Sequence, residues 1–220
     1  MIINFGDTSV RNYSKGISKG VLYTPTGAVA WPGLVSFKES KSGGVTSERY
    51  VEGRKFYTEQ GPTFSSGEIK CLTYPEELEH HLGNASVKSG FYASNQFASR
   101  VGITFQKRIE NTVTGLIGSV YYFIYNALPV MNDTNSTTIN NSAEVEPFTI
   151  TLDLIPEPLA GYFPTAVYSF NTTKAGVAAT ERLKEALYGT YLTDPYLPKP
   201  EEIMAFITED PTALTAVVTE

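Results

Sequence analysis

Phe148-Thr149-Ile150-Thr151-Leu152-Asp153-Leu154 alternates apolar and polar residues without a break. Successive side chains of a strand point to opposite faces, so period two over seven residues predicts a half-buried β-strand. Phe148, Ile150, Leu152 and Leu154 are its buried face, and Thr149, Thr151 and Asp153 its polar face. Upstream, Ile117 to Asn126 is rich in β-formers on both faces and reads as a strand covered on both sides. Weaker strands are expected over 100–107 and 162–170.

Towards the N-terminus the same reading continues. Val21-Leu22-Tyr23 runs into a Pro25-Thr26-Gly27 turn, and residues 28–37 form a strand interrupted at Pro32-Gly33, because proline cannot donate to a ladder. Two further strands are expected over 48–59 and 63–74, turned by Gln60-Gly61-Pro62. Residues 38–47 are rich in Ser, Gly and Lys with no apolar period, which predicts a long flexible loop. An Asn/Thr/Ser-rich stretch between 126 and 145 predicts a second one.

Helices come late. Pro75 to Gly83 has proline first, acids in the first turn and glycine after the last. Residues 174–188 carry an apolar stripe of Ala179, Leu183, Ala186 and Leu187, with Gly189 as terminator. Residues 200–207 repeat the proline-then-acid start. The expected fold is mainly β, a β-sandwich or half-open barrel with a flanking α-helix. The expected organisation is an N-terminal arm over 1–19, a single β domain over 20–207 and a C-terminal tail over 208–220.

Composition bounds the function. With 14 Tyr and 12 Phe in 220 residues the chain has the apolar surface to order itself. A net charge of −6 is the wrong sign for gripping nucleic acid through phosphates. One cysteine, Cys71, excludes a disulfide framework and a Cys-based zinc site. No apolar run approaches the ~20 residues of a membrane helix, and the N-terminus has no basic head followed by an apolar stretch, so a soluble product folded in a cytoplasm is expected. Charge is unevenly spread: residues 1–110 carry 13 Lys+Arg against 10 Asp+Glu, residues 111–220 carry 4 against 13. No basic residue lies between Arg108 and Lys174.

Residues for catalysis are hard to assemble. His80 and His81 are adjacent, so on a helix they point about 100° apart and do not converge on one metal. They read as cations in the last turn of a surface helix. Cys71 reads as a packed, inert thiol. There is no Gly-rich phosphate loop, no Gly-x-Ser-x-Gly and no dinucleotide fingerprint. No catalytic, cofactor-binding or metal site is assigned, and no enzyme activity or cofactor is expected.

The order of short motifs carries more. Gly20-Val21-Leu22-Tyr23, Gly27, Ala30-Trp31-x-Gly33-Leu34 and Glu39 resemble the start of the major tail tube proteins of long, non-contractile-tailed bacteriophages. So do Tyr57, Gly67-x-Ile69, Leu72-Thr73-Tyr74-Pro75-Glu76-Glu77 and Gly83 in the middle block. Gly102-Ile103-Thr104-Phe105, Arg108-Ile109, Gly115 and Tyr125-Asn126-Ala127 follow in the same order. The closing matches are Pro164-Thr165-Ala166, Leu187-Tyr188-Gly189-Thr190, Leu197-Pro198-x-Pro200 and Phe206-Ile207. Each motif alone is weak; together they are collinear over about residues 16–207.

The resemblance implies a structural virion protein, made in the host cytoplasm, whose copies close into hexameric rings. The rings stack into a tube through which DNA leaves the capsid without specific binding. Tape-measure, tail-terminator and distal-tail or baseplate proteins are the implied partners, with no membrane. It also implies that a loop at 38–47 (Lys38, Glu39, Lys41, Gly43, Gly44) reaches the adjacent ring. A lumen must not hold DNA, so its wall is expected to be polar and acidic with basic residues outside or paired. Thr149, Thr151 and Asp153 are the candidate lining, with the tube exterior as the alternative for that face. Two other function classes stay open: a receptor-binding or adhesion module of β-sandwich type, and a sandwich-fold hydrolase.

Overall fold

The computed structural model describes residues 11–44, 46–60, 63–131 and 147–208. Strand β1 (Asn12–Thr24) turns at Pro25-Thr26 into β2 (Gly27–Trp31), and Pro32-Gly33 separates β2 from β3 (Leu34–Gly43). β4 (Thr46–Val51) and β5 (Arg54–Gln60) form a hairpin, followed by β6 (Thr63–Cys71) and the short α1 (Glu77–His81). A small hairpin of β7 (Ala85–Lys88) and β8 (Phe91–Ala93) leads to two long strands, β9 (Val101–Asn111) and β10 (Gly115–Val130). β11 (Phe148–Leu154), a hairpin of β12 (Glu157–Leu159) and β13 (Tyr162–Thr165), and β14 (Val167–Asn171) precede the helices α2 (Thr172–Ala175), α3 (Val177–Tyr188) and α4 (Pro200–Thr208).

The principal sheet is antiparallel in the order β2-β1-β9-β10-β11-β6-β3, with β14 also paired to β10. β10 is long enough to serve two partners along one edge. Its residues 120–124 pair with β14 and 127–130 with β11, while its other edge pairs with β9. A register shift between Ile124 and Ala127, with Asn126 at φ 48°, marks the bulge where the two halves diverge. β2 and β3 end the sheet on opposite sides yet are joined through Pro32-Gly33, so the sheet curls. At Gly20 a Cβ would lie 2.4 Å from Leu34 Cδ1, so only glycine allows β1 and β3 to come this close.

Alternation along the central strands feeds two cores. One core buries Leu22, Trp31, Ile69, Ile103, Phe105, Ile124, Ile150 and Leu152. The other packs Val21 and Tyr23 of β1, Tyr121 and Phe123 of β10 and Phe170 of β14 against Ala179, Leu183 and Leu187 of α3 and Ile203 of α4. β10 is thus covered on both faces, as its composition predicts, and the α3 stripe is buried as its spacing predicts. Each large apolar side chain so buried contributes roughly 1.5–3 kcal/mol. The buried tyrosines keep their hydroxyls satisfied: Tyr23 donates to Leu187 O at 2.9 Å and Tyr125 to Pro198 O at 2.6 Å.

Several expectations are corrected. Residues 38–43 are not a loop but the second half of β3, in register with β6 from Lys38 opposite Glu68 to Gly43 opposite Thr63. Local composition carries no strand signal there because the hydrogen bonds come from a distant strand, and lysines are tolerated at a sheet margin. Gly44 alone of the five predicted loop residues lies outside a strand. Residues 48–59 are two strands, turned at Glu52-Gly53, where φ is 52° and 74°; both positive values fit a tight two-residue hairpin turn. The β domain begins before residue 20, since Asn12 to Lys15 already pair with β9. The 174–188 helix starts earlier and is broken at Gly176, whose φ of 89° ends α2 and lets α3 start afresh. The rest of the N-terminal arm over 1–10, most of the Asn-rich connection and the tail over 209–220 lie outside the described residues.

Candidate assembly surfaces

The first surface is the polar side of β11, β6 and β3. Cross-strand register sets Thr149 beside Lys70, Thr151 beside Glu68 and Asp153 beside Ser66. β3 extends the rows, with Ser36 at Lys70, Lys38 at Glu68 and Ser40 at Ser66. Thr149 and Asp153 are exposed, Thr151 is half-buried, and Ile150, Leu152 and Leu154 point into the core. The three predicted residues therefore share one face. Phe148 departs from the expectation: it is 38% exposed, because its register partner Cys71 is the last residue of β6. There it packs edge-on against Tyr74, with ring centroids 5.2 Å apart.

Pairing changes the charge of this face. β11 lies in a stretch without basic residues, but Lys38, Lys70 and Arg100 are brought beside it. Lys70 Nζ lies 3.9 Å from Glu68 Oε1, and Arg100 Nη2 lies 2.7 Å from Asp153 Oδ2. The face is polar and mixed in sign, not acidic. Sequence spacing had no signal for Arg100, which reaches Asp153 from 53 residues away.

The second surface is the β4–β5 hairpin. Residues 47–58 are all exposed, among them Tyr50, Val51, Phe56 and Tyr57, the phenylalanine at 76%. Lys55 is held by Glu48 on the hairpin, and Tyr50 Oη donates to Glu48 Oε2 at 2.6 Å. Arg49 and Arg54 make no ion pair among the described residues. β4 follows β3 in the chain and β5 precedes β6, but among the described residues the two pair only with each other, as a separate two-stranded sheet.

The third surface is a pocket of about 370 Å³ at the other end of β6, lined by Leu72, Tyr74, Phe148, Tyr92, Glu76 and Glu79. Tyr92 Oη donates to Glu76 Oε1 at 2.9 Å and Tyr74 Oη to Glu79 Oε1 at 2.8 Å. Asn84 Nδ2 donates to Glu79 Oε2 at 2.6 Å. Burial, with the carboxylate of Glu79 beside it, pushes the Tyr74 hydroxyl up to about 12. The bond to Glu76 raises that of Tyr92. Among the described residues no lysine or arginine pairs with either carboxylate.

The residues singled out for chemistry are packed rather than poised. Burial pushes the Cys71 thiol up to about 11, away from the reactive thiolate. His81 is not a surface cation: it is buried, its Nδ1 lies 2.6 Å from Ser99 Oγ, and desolvation holds its pKa below the ordinary value. His80 is exposed, and the two rings sit 5.8 Å apart, edge to face. Among the described residues no three His, Cys, Asp or Glu side chains converge. An apolar groove of about 280 Å³ between β14 and α4, lined by Phe170, Ile203, Met204 and Ile207, presents no constellation of acid and base. No described helix is long and apolar enough to cross a membrane. Compared with known proteins, the chain matches no family model and no curated protein.

Proposed function

We propose that this chain is the self-assembling structural subunit of a phage tail tube, with a half-open β-barrel of tail-tube type. Stacked hexameric rings form the conduit for DNA, and the neighbours at the tube's ends are tape-measure, terminator and distal-tail proteins. The collinear motifs over residues 16–207 support the family. The observation that carries self-assembly is the bare β4–β5 hairpin. A two-stranded hairpin is marginal in water on its own, and this one holds Tyr50, Val51, Phe56 and Tyr57 out in solvent. Covering what these side chains still expose is favourable at roughly 25 cal/mol per Å² of apolar surface, and another copy of the chain is a partner always present in a polymer.

In this reading the polar face of β11, β6 and β3 lines the lumen. Arg100 pairs with Asp153 and Lys70 lies by Glu68, which leaves Lys38 as the one cation of the face in excess of its acids, a weak hold on phosphates. The protein is a component of the virion tail and needs no catalytic group or cofactor. Negative-stain microscopy of the purified chain tests the proposal. Rings or tubes are expected; compact trimers point instead to a receptor-binding module, and a dispersed monomer at all concentrations removes the assembly reading.

A further inference from the structure

β14 is a strand with one edge open. It pairs with β10 from Val167 to Asn171, and among the described residues no strand pairs with its other edge. An open edge presents a row of unpaired N–H and C=O groups, a template for another strand. The apolar groove of about 280 Å³ runs along it. Tyr168, Ser169, Phe170 and Asn171 all line that groove. Side chains of a strand alternate between faces, so a groove that meets four in a row passes by the strand's edge. The opposite wall is α4, where Pro200, Ile203, Met204 and Ile207 form one stripe along about 10 Å of helix. Met204 is left 43% exposed there.

The chain itself continues from this groove. Ile207 lines it, and Thr208 ends α4. The sequence then reads Glu209-Asp210-Pro211-Thr212-Ala213-Leu214-Thr215-Ala216-Val217-Val218-Thr219-Glu220. Proline cannot continue a helix, and Asp-Pro favours a turn. Beyond it the pattern is that of a strand: Leu214, Ala216 and Val218 fall on one face, Thr215 and Thr219 on the other, with β-branched residues throughout. Six residues of strand reach about 20 Å, enough to run the length of β14. Charge agrees as well. The segment carries three acids and no base, and Lys174 is the charged side chain in the lining of the groove.

We infer that residues 213–218 add to the open edge of β14 as a further strand of the same chain, with Leu214, Ala216 and Val218 set in the groove. The tether from Thr208 is four residues, and a short linker holds its segment at an effective concentration in the millimolar range, which favours the chain's own tail over another's. The inference stands independently of self-assembly. An edge capped in this way is no longer a template for uncontrolled pairing with other chains.

Backbone hydrogen exchange of the full chain tests this, followed at two protein concentrations tenfold apart and in the double variant Leu214→Asp, Val218→Asp. The amides of 213–218 are expected to exchange at least about tenfold more slowly than in an unstructured peptide of the same sequence, equally at both concentrations. In the double variant they should reach the peptide rate and β14 should lose protection with them, while β9, inside the sheet, stays unchanged and reports an intact fold. Lys174→Glu, which leaves the apolar lining in place, is expected to lower the tail's protection several-fold, and less so at high salt. Peptide-rate exchange in the unaltered chain overturns the docking whatever the variants do. Tail protection that falls on dilution assigns the groove to a second copy's tail and overturns the intrachain strand. Loss at the tail with β14 unchanged overturns the pairing with β14.

Discussion

Arg100 and Asp153 lock the bend of the central sheet. One guanidinium nitrogen lies 2.7 Å from the Asp153 carboxylate, and the other donates to two backbone carbonyls, Asn126 O at 2.5 Å and Asp153 O at 3.0 Å. Asn126 is the bulge residue of β10, where the strand leaves β14 and turns to β11. The cation thus fills hydrogen bonds that the interrupted ladder leaves open.

The backbone contacts matter more than the ion pair, because the Asp153 side chain is 64% exposed and solvent screens it. Arg100→Ala is expected to cost about 1–3 kcal/mol, and Asp153→Asn less than about 1 kcal/mol. Urea denaturation of the two variants checks this; equal losses would show that the pair, not the carbonyls, holds the bend.

His81 makes stability depend on pH. Burial depresses its folded pKa below the ordinary ~6.5, so the unfolded chain binds the proton more readily. Its contribution is complete above about pH 6.5 and is lost as pH falls from there through the folded value. The melting midpoint is expected to drop between pH 7 and 5, and the drop to shrink in His81→Gln. An identical pH profile in the variant would refute the assignment.

Trp31 pins the β2–β3 crossover. It is buried and its indole Nε1 donates to Thr73 O at 2.8 Å, tying the end of β2 to the segment after β6. Trp31→Ala is expected to destabilise by about 3–5 kcal/mol through the cavity it leaves and the unpaired carbonyl. Trp31→Phe should recover part of that, and calorimetry at two scan rates would measure both.

The hairpin is separable from the fold. Replacing residues 47–58 with a short Gly-Ser turn should leave the melting midpoint within a few degrees, since none of these side chains enters a core, and should abolish polymerisation. Removing 40–46 instead would strip paired residues from β3 and is expected to destabilise the domain itself. Tubes of normal length from the shortened hairpin would exclude it from assembly.

The lumen assignment is tested best at Thr149, which is exposed and next to Lys70. Thr149→Lys adds an unmatched cation to each copy. If this face lines the channel, virions should assemble but eject DNA more slowly, most of all at low salt. Unchanged ejection kinetics in fully assembled particles would move the face to the exterior.

The sequence by itself determined which segments alternate and which carry a helical stripe. Period two placed Thr149, Thr151 and Asp153 on one strand face, and the helical period of 3.6 placed Ala179, Leu183, Ala186 and Leu187 on one stripe, because those directions follow from local chain geometry alone. Strand content at 38–43 was illegible, since a Ser/Lys segment becomes a strand only when β6 supplies its hydrogen bonds. The exposure of Phe148, the burial of His81 and the reach of Arg100 to Asp153 were hidden for the same reason. Each depends on where a sheet ends or bends, and that is decided by pairing between residues far apart in the chain. The turn at Glu52-Gly53 is a local signal, since glycine readily takes the positive φ it has there. The separation of hairpin and pocket to opposite ends of β6 belongs to the tertiary structure alone: the register of β3, β6 and β11 orients that strand, and no local pattern encodes it.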